Sequence, residues 1–178
     1  MARSSSSPGV PNEAAPRAVQ GATRPFLTVR KLTVDDAEAM RALGAALAAV
    51  ARPGDVLCLF GDLGAGKTQL AKGFGAGLGV DETVNSPSFV LMAEYPGRLP
   101  LFHIDLYRLG GGAVAITDGL IDERQADGVT LIEWADRLGP ALPVSRLDVR
   151  IDGSGDGPRT VRLEPGDGAH ARYLEAIP

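Results

Sequence analysis

Apolar positions between residues 30 and 51 recur at helical spacing. In LTVDDAEAMRALGAALAAV, Met40, Leu43, Leu47 and Val50 step by three and four residues, which puts them on one stripe of an α-helix. Thr33 is the expected N-cap, and Asp35 and Asp36 suit the positive N-terminal end of the helix dipole. Beyond Pro53-Gly54 the pattern changes to a continuous apolar run, DVLCLF from Asp55 to Phe60, as expected of a strand buried on both faces of a parallel sheet. TQLAKGFGAGLG then predicts a helix up to Gly79, although Gly73, Gly75 and Gly77 each cost up to about 1 kcal/mol relative to Ala. Two further apolar runs end in acid, PLFHID at Asp105 and VTLIE at Glu133, and between them GGGAVAITDGLIDERQADG mixes loop with weak helix. RLDVRID and RTVRLE alternate apolar with polar residues around the turn-forming GSGDGP, which predicts a β-hairpin, and AHARYLEAI predicts a short final helix.

The first 25 residues carry no such pattern. They are rich in Ser, Pro, Ala and Gly, so they bury too little to offset the entropy of ordering, and a disordered tail (1–25) ahead of a single domain (26–178) is expected. Pro8, Pro11 and Pro16 spoil the amphipathic helix of an organellar transit peptide, and there is no apolar core of a secretory signal. Glu38 and Arg41 interrupt the Ala-rich stretch, so nothing approaches the roughly 18 uncharged apolar residues of a membrane span. A net charge of −4 and a pI near 5.2 argue against a domain that grips nucleic acid through a broad basic surface, so any role toward nucleic acid is expected to be indirect. The single Cys58 lies in an apolar strand and forms no internal disulfide, which fits a reducing cytoplasm.

The candidate chemistry lies between the first predicted strand and the helix after it. GDLGAGKT meets the spacing G-x-x-x-x-G-K-[ST] at Gly61, Gly66, Lys67 and Thr68, with Asp62, Leu63, Gly64 and Ala65 inside the loop and Gln69 beyond it. Glycines let backbone amides turn toward an anion, Lys67 neutralises phosphate oxygens, and the Thr68 hydroxyl is a ligand for magnesium. Such a site also needs a carboxylate at the end of a neighbouring strand, and Asp105 and Glu133 both stand at that position. Along LFHIDLY, His103, Asp105 and Tyr107 share one face if the strand stays regular, which aims an imidazole and a carboxylate at one reacting water or leaves His103 as a hydrogen-bonded structural residue. Trp134 either shapes the nucleotide pocket or a partner surface, or packs in the core; Arg108 pairs with phosphate or with an acid nearby.

Taken in order, GDLGAGKT, NSPSF (85–89), HIDLYRL (103–109) and GVTLIEWADRLGPALP (128–143) resemble the TsaE family, formerly YjeE, over about residues 30–165. The resemblance implies an α/β P-loop NTPase fold with a central, mostly parallel sheet, added antiparallel strands and helices on both faces. It implies an ATPase needed for the threonylcarbamoyl modification of tRNA adenosine, using ATP and Mg2+ and associating with TsaD and TsaB. By motif position Lys67 binds phosphates, Thr68 and Glu133 handle magnesium, Asp105 is the acid required for hydrolysis, Trp134 lies near the active site, and Ser86, Pro87, Ser88 and Phe89 form a switch-like segment. Two departures stand out: Ser88 where the family usually has Thr, and Gly110-Gly111-Gly112 where relatives continue with an acidic helix.

For hydrolysis, Asp105 is the leading candidate to position water, with Ser88 or His103 behind it. An arginine finger comes from Arg108 in cis or from a partner in trans, which predicts slow hydrolysis by the isolated chain. Two rivals remain at this point, a small-molecule kinase of the same fold and an interaction module gated by bound nucleotide without turnover.

Overall fold

The computed structural model of the protein describes residues 28–87, 91–109 and 123–177. The expected N-terminal tail, Ser88 and Phe89 of the switch-like segment, and the triple glycine therefore lie outside the described residues.

Seven strands form one sheet in the order β1-β7-β6-β2-β5-β4-β3. β2 (Asp55–Phe60), β4 (Leu101–Asp105), β5 (Val129–Glu133) and β6 (Leu147–Asp152) run parallel to one another. β7 (Arg159–Pro165) folds back on β6 as the predicted hairpin, β1 (Arg30–Val34) adds antiparallel to β7, and β3 (Met92–Tyr95) adds antiparallel to β4. Both edges, β1 and β3, escape the sequence reading because each is short and only partly buried.

The first helix starts later than the pattern suggests. Thr33 and Val34 belong to β1, and α1 runs over Ala37–Ala49 with Asp36 as N-cap, its side chain accepting from the Ala39 amide at 2.8 Å. The pairing of Thr33 with Thr160 of β7 takes precedence over a local capping role. α2 (Lys67–Gly77) follows the glycine loop, and Gly79, at φ 75°, turns the chain out of it. A short 3-10 turn, Gly168–His170, and α3 (Arg172–Glu175) account for the predicted C-terminal helix.

α1, α2 and the C-terminal residues Tyr173 and Ile177 cover one face of the sheet, packing on Leu57, Leu59, Leu131, Val149 and Leu163. The opposite face buries Val56, Cys58, Phe60, Ile104 and Ile132 beneath the 3-10 helix Ala135–Ala141. Buried on both sides, β2 reads as a continuous apolar run. Its first residue, Asp55, is tied to the chain's end: Asp55 accepts from the Tyr173 hydroxyl at 2.6 Å and from Arg172. The strand that carries the loop is thus fixed at its far end by α3.

The helix glycines have a packing reason. A Cβ on Gly73 would lie 1.9 Å from the Arg41 carbonyl oxygen of α1, one on Gly44 2.2 Å from the Leu70 oxygen of α2, and one on Gly77 2.8 Å from Ala45. The two backbones touch, which no residue larger than glycine allows. In an exposed helix Gly→Ala would stabilise by about 1 kcal/mol, whereas here forced separation of the helices should cost about 1–3 kcal/mol or more. Gly73→Ala is therefore expected to lower the urea midpoint with little change in slope; a raised midpoint would contradict the close approach.

Candidate nucleotide-binding site

The loop Gly61–Gly66 leaves β2 and enters α2 at the C-terminal edge of the parallel strands, where open α/β sheets place their ligands. Two glycines make its course possible. Gly61 has φ 145° and passes so close to β6 that a Cβ would stand 2.5 Å from the Ile151 oxygen; Gly66 caps α2 at φ 113°. The amides at the N-terminus of α2 have no side-chain cap, which leaves a helix end suited to an anion.

Lys67 curls back over this loop. Its ammonium donates to the carbonyls of Gly61 at 2.6 Å and Asp62 at 2.9 Å, and lies 3.7 Å from the centre of the Trp134 ring. Burial holds it below its ordinary value of 10.5, while Glu133 and Asp105 pull the other way without restoring it. Trp134 reaches this place because its backbone adopts a left-handed conformation, φ 59° and ψ 42°, rare for a bulky residue. Its ring also meets Tyr107, centroids 5.0 Å apart.

The two strand-end carboxylates arrive side by side, Asp105 of β4 being the register partner of Glu133 of β5. Glu133, 2% exposed, accepts from the Thr68 hydroxyl at 3.1 Å through Oε2 and contacts His103 Nε2 at 3.0 Å through Oε1. Asp105 accepts from the Ser86 hydroxyl, and from the Tyr107 amide at 2.9 Å. Lys67, Thr68, Gln69, Ser86, Asp105, Arg108, Glu133 and Trp134 line one cleft of about 440 Å³, with Leu63, Gly64 and Gly66. Ala65 is buried behind the loop and Asp62 is exposed beside it.

Of the two readings of His103, the geometry matches the hydrogen-bonded structural residue. It is fully buried, pairs with Glu133, and does not line the cleft beside Asp105. β4 ends at Asp105, so Tyr107 leaves the strand's alternation and stands half exposed over Trp134.

The opposite flank of the loop was not read from sequence. Arg159, at the start of β7, donates to the Ala65 carbonyl at 3.2 Å and to Gly155 at 2.6 Å, stitching the hairpin turn to the loop. With Asp35, Asp36, Met40 and Asp156 it lines a second cleft of about 340 Å³. No local pattern marks a contact made across 94 residues.

The donors fit magnesium. A hydroxyl and a carboxylate are hard oxygen ligands, and Mg2+ usually takes one or two from protein with the rest from water and phosphate. Among the described residues there is no group of three or more acids, histidines or cysteines able to hold a metal.

The family model described as threonylcarbamoyl adenosine biosynthesis protein TsaE matches residues 34–161. The chain belongs to the TsaE family. It is 45% identical over 125 residues to the Bacillus subtilis tRNA threonylcarbamoyladenosine biosynthesis protein TsaE, covering 70% of this chain and 78% of the relative. The Streptomyces coelicolor protein of the same name is 41% identical over 141 residues, with 77% and 95% covered. The crystal structure of Bacillus subtilis YdiB superposes with a TM-score of 0.72 at 36% identity, covering 85% of this chain and 95% of that one. The P-loop α/β fold expected of a TsaE member is the fold observed, and no helix among the described residues is long and apolar enough to cross a membrane.

The balance at Lys67 can be measured without a ligand. In the reductively methylated protein, carbon-13 NMR should show this amine titrating below the ordinary lysine value, and titration at or above that value would mean that the carboxylates outweigh burial.

Proposed function

We propose that this chain is a Mg2+-dependent ATPase of the cytoplasm that serves threonylcarbamoyl modification of tRNA adenosine, next to the anticodon, in association with TsaD and TsaB. It meets tRNA only through those partners. The observation that carries the reading is the Thr68–Glu133 contact at 3.1 Å directly beside the Lys67 ammonium, all within one cleft under a glycine loop. Family membership supports the pathway, and the partners are those that the resemblance to the family implies.

In this reading loop amides and Lys67 compensate charge on the transferring phosphoryl group, a task of electrostatic placement with little covalent chemistry. Thr68 and Glu133 hold Mg2+, which when bound neutralises phosphate oxygens. Asp105, held by Ser86 and the Tyr107 amide at the same edge, orients the attacking water. Trp134 forms the floor under Lys67. The nucleoside end of ATP occupies the second cleft, against Asp36, Met40 and Arg159. Segment Ser86–Phe89 answers to the nucleotide through Ser86, and Arg108 on the cleft wall or a partner's arginine supplies the remaining positive charge.

Lys67→Ala should weaken ATP binding and lower turnover by about 10²–10³. Asp105→Asn, which keeps an acceptor for the Tyr107 amide, should retain ATP binding and lose about 10²–10⁴ in turnover. Phosphate release measured beside calorimetric ATP binding separates the two, and normal hydrolysis by Lys67→Ala would sink the site. The pathway is tested by tRNA modification with TsaD–TsaB over several turnovers. Modification beyond the first round should require both this chain and ATP; equal yield without them would overturn the assignment.

A further inference from the structure

We propose that His103 is a positioning residue that sets the orientation of Glu133 toward the divalent cation. The inference rests on the magnesium role of Glu133 proposed above.

His103 is 0% exposed, on the sheet face that packs against α2, amid the apolar core. Its register neighbours are Leu131 on β5 and Ala93 on β3. Its Nδ1 has no hydrogen-bond partner among the described residues. A buried polar atom without a partner is destabilising, so an aliphatic side chain would serve this core better if filling were the only demand. What an aliphatic residue lacks is the contact of Nε2 with Glu133 Oε1 at 3.0 Å. With the ring proton assigned to Nε2, the imidazole donates to the carboxylate and leaves Nδ1 bare, which matches the orphaned atom.

The second oxygen of Glu133 takes the Thr68 hydroxyl. Donors from β4 and from the first turn of α2 thus grip the two ends of one carboxylate, and rotation about its last bond would break both contacts. A carboxylate has about four acceptor directions, so this grip leaves capacity for a cation or its waters. Outer partners of this kind orient metal-binding side chains, and their loss typically weakens metal affinity by about ten- to a hundredfold.

The test measures the cation itself, with Mn2+ as probe in the presence of ADP, by electron paramagnetic resonance titration. ADP affinity in chelator, by calorimetry, runs beside it. His103→Leu fills the core without a donor and should weaken Mn2+ binding by about ten- to a hundredfold, with metal-free ADP affinity within about twofold of the parent. His103→Gln places an amide nitrogen near the position of Nε2 and should restore most of the Mn2+ affinity; the shorter His103→Asn should not. Unchanged Mn2+ affinity in His103→Leu, or a matching loss of metal-free ADP binding, would overturn the inference while leaving the nucleotide site intact. Should His103→Leu fail to fold, equal Mn2+ affinities in His103→Gln and His103→Asn overturn it instead. If the parent protein binds ADP but no Mn2+ beside it, the magnesium role of Glu133 fails and the inference falls with it.

Discussion

An acidic side chain that is 2% exposed at the end of a central strand governs the architecture around it. Burying a carboxylate is costly unless it is paired and hydrogen-bonded, and removing one partner of such a group is far more damaging than never having had it. Glu133 is reached by the hydroxyl of Thr68 and the field of the neighbouring Lys67 ammonium, both from the start of α2, and by the His103 imidazole of β4, so that segments far apart in sequence meet on it. Only the parallel order β6-β2-β5-β4, with α2 laid across it, brings them to one point. The sheet order and the close crossing of α1 on α2 are thus conditions for the site as well as features of the core. Lys67, 4% exposed, and Asp105, 3% exposed, are held by the same compensation.

Much of this was legible because local chemistry dictated it. The run DVLCLF is apolar on both faces since both faces are covered, and the spacing of Gly61, Gly66, Lys67 and Thr68 follows from the turn that an anion-binding loop must make. The acids at 105 and 133 were readable as strand ends because apolar runs stop there. The hairpin was readable because its strands have one face against the core and its turn is rich in glycine.

What escaped depends on contacts between distant segments. The stretch 31–34 reads as the approach to a helix until β7, some 130 residues later, supplies a pairing partner, and the cap then moves to Asp36. The glycines of α2 look like helix weaknesses until the Arg41 carbonyl is found against Gly73. For His103 the shared strand face leaves two roles open, companion of Asp105 or hydrogen-bonded structural residue. The two residues do share that face, yet Ser86 and the Tyr107 amide take Asp105 while Glu133 takes His103, a choice made by neighbouring segments. Arg159 had no local signal at all.

The charge along the cleft wall bears on what the site can hold. Its described side chains set Lys67 and Arg108 against Asp105 and Glu133, two positive against two negative, so they balance before any ligand arrives. A polyphosphate therefore finds no net positive lining, consistent with a chain whose overall charge is −4. Attraction has to come from elsewhere, from amides of the loop and of the start of α2, which carry partial positive charge without a counter-ion, and, in the proposed site, from a cation that the carboxylates would retain. Acids that are unfavourable beside phosphate would, in the proposed site, be what makes the cation necessary. The buried charge of Glu133 and the metal-ligand role proposed for it would then be one, since the same oxygen atoms that Thr68 and His103 contact are those through which a polyanion would be tolerated there.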